Sequence, residues 1–176
     1  MQGQRSRRDT AGTEVEQVWQ VLDATNRWVV HGEGKAALAL ASAGALAGAL
    51  FAVVQAAHHV SVASGCAIAL CGAFDLAAAV CAALCLWARL GADAEPTSLI
   101  FFHHLARRYG DRADEYVEAL LESVRDAEQL SVDIARQIWA NAHVAKRKFR
   151  WANLSVAALI GTLVSFAAAC VSLVVR

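Results

Sequence analysis

The chain has 176 residues, enough for one domain of ordinary size. Hydrophobic residues make up 57 % and charged residues 18 %, against roughly 25 % charged in an average soluble domain, and the mean hydropathy is +0.40. These values exclude a disordered chain and argue against a water-soluble globule. Sixteen basic and 16 acidic residues leave no net charge to attract nucleic acid, and a single proline disfavours collagen and loop-rich β folds.

Residues 1–35 form an N-terminal segment that is polar apart from one amphipathic stretch. Over 13–31, Val15, Val18, Trp19, Leu22 and Val29 fall on one helical face, with Glu16, Gln20, Arg27 and His31 on another. Thr13 followed by Glu16 matches a capping box. Gly32-Glu33-Gly34-Lys35 is then expected to break or bend the chain at a membrane surface. Lys35 can snorkel to lipid phosphates.

Residues 36–57 carry no charge, and their only polar side chains are Ser42 and Gln55. After a short turn containing His58-His59, residues 62–86 hold one charge, Asp75. Residues 151–175 are again uncharged, between Arg150 and Arg176. Each run reaches the ~20 residues needed to cross a ~30 Å hydrocarbon layer, where only internally bonded backbone is tolerated. Three buried core helices of this kind would leave too little polar chain to cover them. Gly44 and Gly48 form a GxxxG in the first span, and Gly161 and Ser165 a small-xxx-small pair in the third. All five cysteines lie inside apolar runs, where they act as small hydrophobes rather than as a disulfide framework or a metal site. Asp75 lies near the middle of its span, where a charge costs ~2.5–3.5 kcal/mol on insertion scales. It must face a protein interior or a watery path, or carry a proton. That makes it a candidate gating group.

Between the second and third spans, residues 87–150 form a helical region. Gly91 to Pro96 is a stop and turn, and Thr97 or Ser98 can cap a helix to about Tyr109. Gly110 and Asp111 punctuate. A helix over about 112–126 places Tyr116, Val117, Leu120, Leu121 and Val124 on one face. A last helix begins near Asp126 and runs on into the third span, since residues 111–160 contain no glycine or proline. Its apolar face is Leu130, Ile134, Ile138, Ala145 and Phe149, with Asn141 among them. No strand alternation is present. The chain is therefore expected to be all-α, an integral membrane protein with three transmembrane helices and a cytoplasmic helical segment between the second and third.

The basic residues set the orientation. The first 35 residues hold five and Arg89 to Arg150 holds ten, whereas the turn between the first two spans holds none. By the positive-inside rule the N-terminus and residues 87–150 face the cytoplasm.

Arg136, Trp139, His143, Lys146, Arg147 and Arg150 form a stripe nearly opposite the apolar face of the last helix. Guanidinium forks suit a phosphate and an indole suits a stacked base, so Arg136, Trp139, His143 and Arg147, with Lys35, are candidate ligand-binding residues. The same basic residues just inside a span equally serve lipid headgroups and topology. The sequence contains no P-loop, GxSxG or HExxH, and adjacent His103-His104 point about 100° apart on a helix, unsuited to converging on a metal. No enzymatic activity, metal or cofactor is expected.

Trp28 to Ala37 resembles the tryptophan, acid and Lys-Ala signature that leads into the first span of Pycsar transmembrane effectors, with Glu33 where that pattern has Asp. Asp133 through Gln137, then Lys148 and the third span, resembles the same family's Asp…Gln…Lys approach to its final membrane helix. Phe101-Phe102 also fits. The resemblance spans residues 13–175. It implies a multi-pass protein of the bacterial inner membrane that acts in antiphage defence. Its partner would be a pyrimidine nucleotide cyclase that makes cyclic UMP or cyclic CMP on infection. The effector would sense that nucleotide and disrupt the membrane, causing abortive infection. Three spans cannot enclose a pore alone, so a homo-oligomer is expected. The alternative reading is a membrane-anchored helical scaffold that recruits a cytoplasmic partner. A small transporter subunit is a weaker third, since no convincing repeat is present.

Overall fold

A computed structural model describes residues 2–57, 60–87 and 108–174, with side chains from residue 12 onward. Its elements are α1 (Gln2–Ala56), α2 (Val62–Leu86), α3 (Ala113–Arg125) and α4 (Ala127–Val174), and no strand occurs among the described residues. The all-α expectation holds. Helices α1, α2 and α4 are each long and apolar enough to cross a membrane.

Local chemistry explains the helix ends. Ser61 caps α2, its Oγ accepting from the Ser64 amide at 3.1 Å. Asp126 caps α4, its Oδ1 accepting from the amides of Glu128 and Gln129, each at 3.1 Å. Gly110 has φ 49°, a left-handed conformation that glycine adopts without steric cost, and it separates Tyr109 from α3.

Two local expectations are corrected. Thr13 lies inside α1 and is no cap, because the helix already begins at Gln2. The segment Gly32–Lys35 does not break the chain, and α1 runs through it. A helical glycine costs only ~1 kcal/mol relative to alanine. Burial of Gly32 and Ala36 outweighs that penalty. The expected turn at 91–96, the helix from Thr97 or Ser98, Phe101-Phe102, His103-His104 and His58-His59 lie outside the described residues.

The described residues cluster into two units. The first draws on Met1–Trp28 and Ala88–Ala145. Its core is Leu22, Leu130 and Ile134, flanked by Val15, Val18 and Ile138. The i, i+3, i+4 spacing of these side chains on α1 and α4 makes both faces apolar, and each covers the other. The second unit draws on Val29–Trp87 and Lys146–Arg176. Here α1, α2 and α4 meet through small residues: Ala36, Ala82, Cys85 and Ala152 form one buried cluster, with Leu86 and Trp151 against it. Cys71 Sγ lies 3.6 Å from the Thr162 carbonyl, and Ser64 Oγ donates to Ser172 O at 3.3 Å. These contacts, with Cys85 beside Lys148, register α2 antiparallel to α4. Buried positions on α2 (Cys71, Asp75, Ala78, Ala82, Cys85) alternate steps of four and three, the spacing of left-handed helix packing. Small side chains there let the helices approach closely, which is what drives association in lipid.

The two small-residue pairs read from the sequence have different fates. A Cβ on Gly161 would come within 2.9 Å of the Phe74 ring, so this glycine is required by a close contact. Gly44 and Gly48 face open space, with nothing within 4 Å of an added Cβ.

Candidate functional site

In the first unit, a polar ladder crosses from α4 to α1. Gln137 Nε2 donates to Asn141 Oδ1 at 2.8 Å, and Asn141 Nδ2 donates to Asn26 Oδ1 at 2.8 Å. Gln137 is buried, so its amide needs such a partner. One turn earlier, Asp133 Oδ1 accepts from Gln129 Nε2 at 3.2 Å and from Arg136 Nη1 at 3.4 Å. The ion pair takes one corner of the Arg136 guanidinium and leaves most of that side chain exposed. Trp139 is exposed, and its ring centroid lies 4.2 Å from that of His143. His143 Nδ1 donates to the Trp139 carbonyl at 2.9 Å, which holds the imidazole against the indole. Arg136, Trp139 and His143 thus share an exposed surface able to offer N–H donors and an aromatic face to an anion bearing a base.

In the second unit, the mouth of the helix bundle is closed by a clasp. Lys148 Nζ on α4 pairs with Glu33 Oε1 on α1. The Lys148 side chain is 14 % exposed and Glu33 39 %, so the cation is largely desolvated and depends on the carboxylate. Cys85 Sγ lies 3.3 Å from the Lys148 carbonyl and 3.8 Å from that of Gly32, placing α2 against both partners. Gly32 sits flush on Phe149, and the Lys35 ammonium lies 5.5 Å from the centroid of the same ring, a cation–π contact. Lys35 and Arg147 are both exposed.

Deeper in that bundle, Asp75 is 8 % exposed. Of the alternatives open from the sequence, it faces the protein interior. Its Oδ1 and the hydroxyl of Ser155 are buried without a hydrogen-bond partner. A polar atom so placed costs free energy, typically ~1–3 kcal/mol.

Both motif residues Glu33 and Lys148 were legible in the sequence, but their pairing was not. Gly32, Cys85 and Phe149 were missed as its supports. The available signal was that Glu33 precedes the first span and Lys148 the third by a similar distance, on the same side of a membrane.

Comparison with known proteins now decides the family. A family model described as the Pycsar effector protein domain matches residues 17–175, from within α1 to the end of the last span. The chain belongs to the Pycsar effector family. It is 34 % identical over 153 residues to the Pycsar effector protein PtPycTM of Propioniciclava tarda, covering 86 % of this chain and 75 % of that one. No solved structure matches. Membership makes the chain an antiphage defence effector with helices that can span a membrane. The residues of the polar ladder and of the clasp all lie within the matched region.

Proposed function

We propose that this Pycsar effector responds to a cyclic pyrimidine nucleotide, cyclic UMP or cyclic CMP, and then disrupts the inner membrane. A partner pyrimidine nucleotide cyclase makes the signal on phage infection, and the outcome is abortive infection. The observation that carries this reading is the family match across residues 17–175, which extends over the apolar runs of all three candidate spans and the segment between the last two. The physical chemistry is compatible at each step. An anionic nucleotide suits the exposed Arg136 guanidinium with Trp139 and His143 beside it in the first unit, and the exposed cations Lys35 and Arg147 of the second unit are separate candidates for its phosphate. The ligand acts by binding one state of the protein more tightly than the other, which shifts a closed–open equilibrium. The buried carboxylate of Asp75 serves as the gating group. The N-terminus and residues 87–150 face the cytoplasm, where the nucleotide is made, and the effector works as a homo-oligomer.

The test is ion leak from liposomes that contain the purified protein, with cyclic UMP, cyclic CMP, cyclic AMP and cyclic GMP added in turn. Leak with one pyrimidine nucleotide alone is the expected result and names the ligand. Absence of leak with all four, from folded and inserted protein, overturns the reading in favour of a membrane-anchored scaffold.

A further inference from the structure

Helix α3 buries none of its residues. Val117, Leu121 and Val124 are 49 %, 53 % and 56 % exposed, and their i, i+4, i+7 spacing puts them on one face. This is an apolar stripe about 10 Å long that no described residue buries. Its flank is charged in a definite order. Asp114, Glu118 and Arg125, at i, i+4 and i+11, lie along one edge of the stripe, acids in the first half and the base at the end. A parallel two-fold pair would turn this charged edge towards the uncharged edge of the other copy, which holds Ala113, Tyr116 and Leu120, and leave it without ion pairs. Antiparallel copies set the Arg125 of each beside Asp114 and Glu118 of the other, and also oppose the helix dipoles favourably. The pattern is self-complementary under a two-fold rotation, as an isologous interface requires.

We propose that a second copy of this chain covers the face, α3 against α3 in an antiparallel two-fold contact. An anionic lipid surface is a poor occupant, because helices that lie on such surfaces carry Lys and Arg on their polar side. Residues 113–125 hold four acids and one base. A contact between helices about 20 Å long is smaller than the roughly 1,200 Å² of a stable soluble complex. Confinement of the protomers to one bilayer supplies the missing effective concentration. The proposal deepens the oligomeric part of the function proposed above and rests on that reading only for the membrane.

The experiment uses the full-length protein in phosphatidylethanolamine–phosphatidylglycerol liposomes, without nucleotide. The photo-crosslinker p-benzoylphenylalanine replaces Val117, or Glu115 on the far side of α3 as a control. Light is expected to give a dimer-sized adduct from position 117, mapped to residues 113–125 of the second copy, and little from position 115. Arg125→Glu is expected to reduce that adduct on the order of tenfold, since it sets like charges together. Adding Asp114→Arg and Glu118→Arg to the same chain should restore it. An adduct with lipid or with another segment, monomer alone, or indifference to charge reversal each overturns the proposal. Because no nucleotide is present, failure here is separate from failure of the leak experiment.

Discussion

Glu33→Gln removes the carboxylate from the clasp while keeping its size. Lys148 is 14 % exposed, so its ammonium cannot recover full hydration in place. Breaking a fully buried pair costs ~3–5 kcal/mol, whereas an exposed pair is worth ~0–1 kcal/mol. With one partner mostly buried and the other 39 % exposed, the loss should be ~1–2 kcal/mol. Lys148→Met should cost less, ~0.5–1 kcal/mol, because the remaining carboxylate can turn towards water. The double variant leaves no unpaired charge and should be more stable than the sum of the single losses implies, with a coupling energy of ~1 kcal/mol. Thermal unfolding in detergent, followed by tryptophan fluorescence, reads these losses. For a chain of this size the Glu33→Gln loss corresponds to a fall in Tm of ~2–8 °C. The buried end of the pair should also make the coupling less sensitive to added salt than that of a surface pair. Strict additivity of the two single variants in the double would refute the claim that the clasp holds α1 to α4.

Ile134→Ala should destabilise the first unit by ~2–5 kcal/mol, since the side chain is fully buried against Leu22 and Leu130; urea unfolding checks this. Gly161→Ala should lower Tm through the Phe74 ring, with Phe74→Leu relieving the loss, while Gly44→Ala should be neutral or gain up to ~1 kcal/mol of helix propensity. Asp75→Asn is expected to change nucleotide-triggered leak without preventing insertion; unchanged leak would remove Asp75 from the gating mechanism. Arg136→Ala should weaken the nucleotide response in the same assay, and a normal response would return that surface to a structural role.

Helices and spans were legible because their causes are local. Three runs of apolar residues long enough for a bilayer can satisfy their backbones only as helices. The unbroken α4 follows from the absence of glycine and proline over residues 111–160 and from Asp126 as its cap. The apolar faces of 13–31 and 127–145 were readable from their period, and Leu22 and Ile134 are indeed buried. Gly32–Lys35 misled because a glycine penalty is local and small, whereas the burial that overrides it involves Phe149 and Cys85, distant in the chain.

The site divides in the same way. Composition and order alone determined the residue types on offer: a basic and aromatic stripe on one helix, one acid within a span, and an acid and a lysine at span entrances. Only the tertiary structure decided that Glu33 meets Lys148 beneath Cys85, that Asn26 joins Gln137 through Asn141, and that Gly161 rather than Gly44 is a packing glycine. The physical reason is range. Helix formation and membrane partition depend on side chains within a few turns of one another. The contacts between helices, from the Glu33–Lys148 pair to the Asn26–Asn141 bond and the Cys85 contacts, join residues more than 50 positions apart, so they are set by which helix faces meet.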